Sequence, residues 1–207
     1  MKHTLAEIFE IVTAAGLEDA GGFPLRATMA AIAFAESGGD PDAFVEHDPP
    51  TSLTAAPSSG MYQVNRRWWA EIFAATERVR LNPALSDAEK MIRQTQLVRP
   101  IMADALRAAS NAARTLQSRN VYVDVLNTAL FVNATWQAGA DNVAAWSRTT
   151  RTGDPREIVN PKRSVDVEVD IRKLAGSAVG ASSAFVTALG LLAAFGFVGA
   201  ILSRWRI

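Results

Sequence analysis

"AFAESGGDP", residues 33–41, sets one carboxylate after an apolar run and before two glycines and a proline. Upstream, Pro24 followed by "LRATMAAIAFAE" suits a helix entered at proline, with Met29, Ile32 and Ala33 as its apolar stripe. Glu36 then falls at the C-terminal end of that helix. Gly38 and Gly39 let the backbone turn sharply away, and Pro41 stops the helix from resuming, so the following chain leaves one side of the carboxyl uncovered. A carboxyl group backed by Ile32, Ala33, Phe34 and Ala35 is partly stripped of water, which penalises its charged form and is expected to raise its pKa. Such a group can hold a proton at neutral pH. The plainer alternative is a surface glutamate near a helix end.

The surrounding chain reads as further helices. "MKHTLAEIFEIV" carries Glu7 and Glu10 where a signal peptide would be apolar, so it reads as the first helix of the domain. Ser86 to Glu89, "SDAE", has capping-box spacing and opens a long helical stretch in which Met91, Val98, Met102 and Leu106 share a face, with a bend expected at Pro100. From Val121 to Gln137, Val125, Thr128, Val132 and Trp136 recur at intervals of three or four. Trp68 and Trp69 are adjacent, so on a helix at least one is expected in the core. The body, residues 1–150, is therefore mostly α.

Composition narrows the chemistry. The 207 residues, 49% hydrophobic, suffice for one domain of about 150 residues and something smaller. Twenty-one basic and 21 acidic side chains balance to +0, which argues against a nucleic acid partner. Cysteine is absent, which removes disulfides and thiolate chemistry and leaves the compartment open. Only His3 and His47 supply imidazoles, too few for a zinc peptidase, so neither metal nor cofactor is expected. His47, Asp48 and Ser58 lack a nucleophile elbow, which leaves His47 as a rim residue without an essential task.

A second fragment gives Glu36 a context. "SSGMYQVN", Ser58 to Asn65, joins a glycine that permits close backbone approach to an aromatic ring and two amides, groups able to line a sugar cleft. "ESGGDP" followed by "GMYQVN" resembles the first two motifs of the SLT-type lytic transglycosylases, relatives of goose-type lysozyme that cut peptidoglycan. The third motif of that family reads Ala-Tyr-Asn-Ala-Gly; the nearest match here is "TWQAG", Thr135 to Gly139, followed by Val143 and Trp146. Trp136 stands for the tyrosine and Gln137 for the asparagine, which removes a hydroxyl and retains donors. The resemblance spans roughly residues 20 to 150 and implies a lysozyme-like fold of the goose-type/SLT, α+β superfamily.

It also implies a mechanism. Glu36 would protonate the glycosidic oxygen between N-acetylmuramic acid and N-acetylglucosamine, then accept the proton of the muramyl C6 hydroxyl. The product is a 1,6-anhydromuramyl end, formed with help from the substrate's acetamido group and without a second protein carboxylate. Ser59 would bond the substrate or Glu36, or else only shape the turn. Gln63 would contact an N-acetyl group, Met61 and Tyr62 would form cleft wall, and Gly60, Asn65, Trp136 and Gln137 complete the expected substrate-binding set. A hydrolytic muramidase needs a second carboxylate about 5–9.5 Å away, for which Asp40, Asp42, Glu46 and Asp48 are candidates. A membrane-anchored structural protein that only binds glycan is the third reading.

The tail differs in character. Residues 151–173, "RTGDPREIVNPKRSVDVEVDIRK" with its flanks, read as a charged linker. Within it Val165, Val167, Val169 and Ile171 alternate with acids in a strand period, a ribbon that would dock on its own domain, pair with a neighbour or serve as spacer. From Leu174 to Ser203 no residue is charged, a run longer than the roughly 20 residues a bilayer-spanning helix needs. A transmembrane helix is expected at 174–203, ending in a basic, aromatic tail at 204–207 with Arg204, Trp205 and Arg206. Muramidase-like domain followed by terminal anchor resembles the virion-associated transglycosylases of tailless phages with an internal membrane. That architecture implies an enzyme held in the virion or host inner membrane, among capsid or membrane proteins, opening the wall for genome delivery.

Overall fold

A computed structural model of the chain describes residues 3–19, 22–48, 55–159 and 161–179. Among the described residues it is mostly helical, as the periodicity predicts, and carries one small antiparallel sheet that no strand period marked. The described residues fall into two compact units, one within 3–17 and 29–100 and the other within 18–28 and 101–179. One domain was expected over 1–150; instead the division falls inside the second helix and at the start of the fifth.

The first unit contains α1 (Leu5–Ala14), most of α2 (Leu25–Ser37), β1 (Phe44–Asp48), β2 (Ala56–Ser59), β3 (Val64–Asn65), α3 (Ala70–Arg80) and α4 (Asp87–Leu97). Thr4 and Glu7 close a capping box on α1, and Ser86 and Glu89 close the expected one on α4. Met29, Ile32, Met61, Tyr62 and Met91 are fully buried. The strands follow one another in the order β1-β2-β3, with Phe44 opposite Ser59 and Val64 opposite Ser59 on its other side. Where one long helix bent at Pro100 was expected, the chain breaks at Val98, whose N–H closes onto the Gln94 carbonyl at 3.1 Å. A new helix, α5 (Arg99–Ser118), then begins. Proline sits at its second position, where the missing N–H removes no helical bond.

The second unit contains most of α5, then α6 (Val125–Ala138), α7 (Ala140–Thr149), a 3-10 turn at Pro155–Glu157 and α8 (Pro161–Val179). Ile101, Ala105, Ala109, Ala112 and Leu116 make the buried stripe of α5. Phe131 of α6 meets Trp146 of α7 edge to face, with ring centroids 5.5 Å apart. The Trp146 indole, Thr150 and Thr152 all donate to the Glu157 carboxylate, which ties the 3-10 turn to α7.

Two expectations for the tail need correction. Residues 151–173 are not a linker: they hold the 3-10 turn and most of α8, which packs on both α6 and that turn. Nor is there a ribbon at Val165 to Ile171. A period of two also repeats every four residues, so the same alternation puts Val167 and Ile171 on one helical face, where both are buried, and Val165 and Val169 on another, where both are exposed. Burial of that face outweighs the modest helix preference of β-branched residues. The Arg172–Glu168 pair at 3.0 Å, one turn apart, adds support. The 174–203 span and the 204–207 tail lie mainly outside the described residues. Among the described residues no helix is long and apolar enough to cross a membrane.

On the buried face of α8, desolvation raises the Asp170 carboxyl above the usual range against the opposing pull of Lys173. Ionised, this group opposes folding, so its cost is absent below its unfolded pKa and complete above its folded one. Asp170→Asn is accordingly expected to raise Tm at pH 8, with the gain disappearing as pH falls through the unfolded value; thermal melts of the full-length protein at several pH values measure it.

Candidate functional site

Glu36 lies on the last turn of α2, half-buried. The helix stops because Gly38 and Gly39 both adopt left-handed backbone, φ +69° and +74°. Their N–H groups bond the carbonyls of Phe34 and Ala33, at 2.8 and 3.4 Å. A Cβ at Gly39 would stand 2.3 Å from Cδ1 of Ile8, so the chain leaves the helix directly against α1.

The next residue links the two motifs of the first unit. Ser37 Oγ donates to the Met61 carbonyl at 2.9 Å and accepts from the Asp40 N–H at 3.1 Å. The end of α2 is thereby fixed beside the turn from Gly60 to Gln63. A buried carboxamide on α4 makes the second link. Gln94 accepts from the Met61 N–H at 2.9 Å and donates to the Pro41 carbonyl at 2.8 Å, so it holds the loop after Glu36 and the β2–β3 turn together. One turn earlier on α4, Lys90 pairs with Asp42 at 2.8 Å.

The turn itself is tight. Gly60 has φ +75°, and a Cβ there would lie 2.7 Å from Thr76 Cγ2 and 2.8 Å from Gln94 Oε1. The close approach expected of this glycine is therefore to α3 and α4. Gln63 is left-handed at φ +48°, with both its backbone N–H and its Nε2 donating to the Gly60 carbonyl. Asn65 Nδ2 donates to Ala56 O and Ser58 Oγ, and its Oδ1 accepts from the Arg67 N–H. This amide holds the hairpin.

Three expected roles change. Met61 and Tyr62, expected as cleft wall, are 0% and 1% exposed. Tyr62 meets the Thr95 hydroxyl at 3.3 Å, and burial pushes its phenol above its ordinary pKa. Ser59 is likewise fully buried, and its hydroxyl donates to Glu77 of α3. Arg80 grips the same carboxylate with Nε at 2.6 Å and Nη2 at 2.8 Å. That pairing, helped by Ser59, holds the Glu77 carboxyl below the usual range. Finally, neither Trp68 nor Trp69 is core: they precede α3 in a turn, and Trp68 is 70% exposed with the Arg67 guanidinium 4.9 Å from its ring centroid.

The loop acids divide. Asp42 pairs with Lys90, Asp40 accepts from the Asp42 N–H, and Glu46 and His47 are exposed along β1, which ends at Asp48. Trp136 and Gln137 belong to the second unit, half-buried on the last turn of α6, where Gln137 donates to Asn133 at 3.0 Å. Among the described residues no cluster of His, Asp and Glu could hold a metal ion. Gln94, Glu77 and Arg80 were not anticipated. The three-residue spacing of Glu77 and Arg80 is a readable ion-pair signal, but nothing local ties either to Ser59 or Gln94 to a distant turn.

Replacing Gln94 by leucine leaves one buried N–H and one buried carbonyl without partners and is expected to cost at least about 2 kcal/mol. Gly60→Ala forces a side chain into a left-handed position against Thr76 and should cost about 1–3 kcal/mol. Denaturant unfolding followed by far-UV circular dichroism measures both.

No family model matches the chain, and neither a curated protein nor a solved structure matches it.

Proposed function

We propose that this chain is a peptidoglycan-cleaving lytic transglycosylase of lysozyme-like fold, with Glu36 as its acid and base. The observation that carries the reading is the Ser37–Met61 hydrogen bond, which fixes the helix end bearing Glu36 beside the glycine turn of the second motif. Glu36 protonates the bridging oxygen as the C1–O bond breaks; the released N-acetylglucosamine end carries that proton. The C6 hydroxyl of the muramyl residue then closes on C1, and its proton returns to Glu36. The cycle leaves the carboxyl as it began.

Two features favour transglycosylation over the hydrolytic alternative. It needs no second protein carboxylate, and the nearest acids in sequence, Asp40 and Asp42, are already engaged in the loop. The motif resemblance supplies the substrate class, and residues 174–203 the expected membrane attachment. Attachment in a virion or host inner membrane, among capsid or membrane proteins, with local wall opening for genome delivery, is the biological setting that follows from this architecture.

Incubation of the full-length protein with purified murein, followed by chromatography and mass spectrometry of the products, tests the proposal. Anhydromuramyl ends are expected. Reducing muramic acid ends would replace transglycosylation by hydrolysis, and sacculi bound without cleavage would leave only a glycan-binding role. Glu36→Gln should lower turnover about 10²–10⁴-fold while the circular dichroism spectrum stays unchanged.

A further inference from the structure

Phe44 and Ser59 face each other across the β1–β2 ladder, and the last turn of α3 grips both. Glu77 takes the Ser59 hydroxyl, Arg80 chelates Glu77 through two nitrogens, and the Arg80 guanidinium lies 5.0 Å from the Phe44 ring centroid. The ion pair is largely shielded, with 19% and 20% of its side chains exposed. Charge-assisted bonds to one carboxylate, two of them in a fork, define its position more closely than a lone serine contact could.

This rung adjoins the candidate site. Gly60 follows Ser59 directly, and its N–H bonds the Ala43 carbonyl at 2.9 Å. Met61, the next residue, receives the Ser37 hydroxyl beside Glu36. A displacement of Ser59 would therefore pass through two residues to the carbonyl that secures the helix end.

We propose that Glu77 is a positioning residue for glycan cleavage, which holds Ser59 so that the Gly60–Gln63 turn keeps its place beside the Glu36 end of α2. The proposal rests on the reading of Glu36 as the acid. Glu77 touches no substrate in this scheme; its effect runs through Ser59 and the turn. Misplacement of about 1 Å at a reacting centre can cost up to about 10²-fold in rate, so a modest shift suffices.

The test uses the full-length protein and soluble, uncross-linked glycan strands, with kcat and KM measured for wild type, Glu77→Gln, Ser59→Ala and the double variant. Each single variant is expected to lose about 10- to 100-fold in kcat with KM within about twofold. The double variant should lose no more than the worse single one, because both substitutions break the same link. Assays run below the melting temperature of each variant, with circular dichroism confirming the fold; Ser59→Ala, which removes only a hydroxyl, carries the test if Glu77→Gln does not fold. Unchanged kcat, a change confined to KM, or losses that multiply in the double variant would overturn the proposal alone. Failure of the wild type to cleave any glycan would instead overturn the reading of Glu36 and this role with it.

Discussion

A carboxamide is the one neutral side chain that offers a donor and an acceptor on a rigid fork, and Gln94 uses both in the interior. Its oxygen receives the Met61 N–H while its nitrogen reaches the Pro41 carbonyl. These two main-chain groups belong to segments far apart in sequence, so no local hydrogen bonding could satisfy them together. A glutamate would repel the carbonyl, and an aliphatic chain would strand both groups without water. The loop after Glu36 and the second-motif turn are thus mutually dependent. Ser37 adds a parallel tie at the surface of the same junction, and Lys90 neutralises the loop acid that emerges beside it.

The helical framework was legible because it depends on local chemistry. The capping box at Ser86 needs only two side chains three residues apart, and the end of α2 needs only glycines able to turn left-handed. Proline at position 100 announced a disturbance, although periodicity could not separate a bend from a complete break, since Met91, Val98, Met102 and Leu106 are each buried either way. Alternation in α8 misled for a physical reason: a valine every second residue fits both a pleated strand and two helical stripes. Only the neighbour settles which applies, and here α6 and the 3-10 turn cover one stripe.

At the site, residue types were easier to single out than their tasks. Gly60 was marked as a place of close approach, and in the folded chain Thr76 and Gln94 come close to it. Ser59, Met61 and Tyr62 sit in the motif that suggested a cleft, but their side chains are buried, and the Met61 carbonyl of this turn is bonded by Ser37 at the Glu36 end of α2. Sequence cannot distinguish a motif that touches substrate from one that shapes the surface touching it. Partners such as Glu77 and Gln94 come from helices whose own patterns are those of any solvated helix, which is why they escaped notice.

The helical state of residues 161–179, which include the first six of the uncharged run, also sets a mechanical scale. As an extended tether, its 19 residues would span roughly 60 Å; wound into α8 they measure about 28 Å, and part of that rod is fastened to α6. Residues 161–179 thus add little slack to the chain, since a rod fastened along a neighbouring helix cannot stretch as a free segment would.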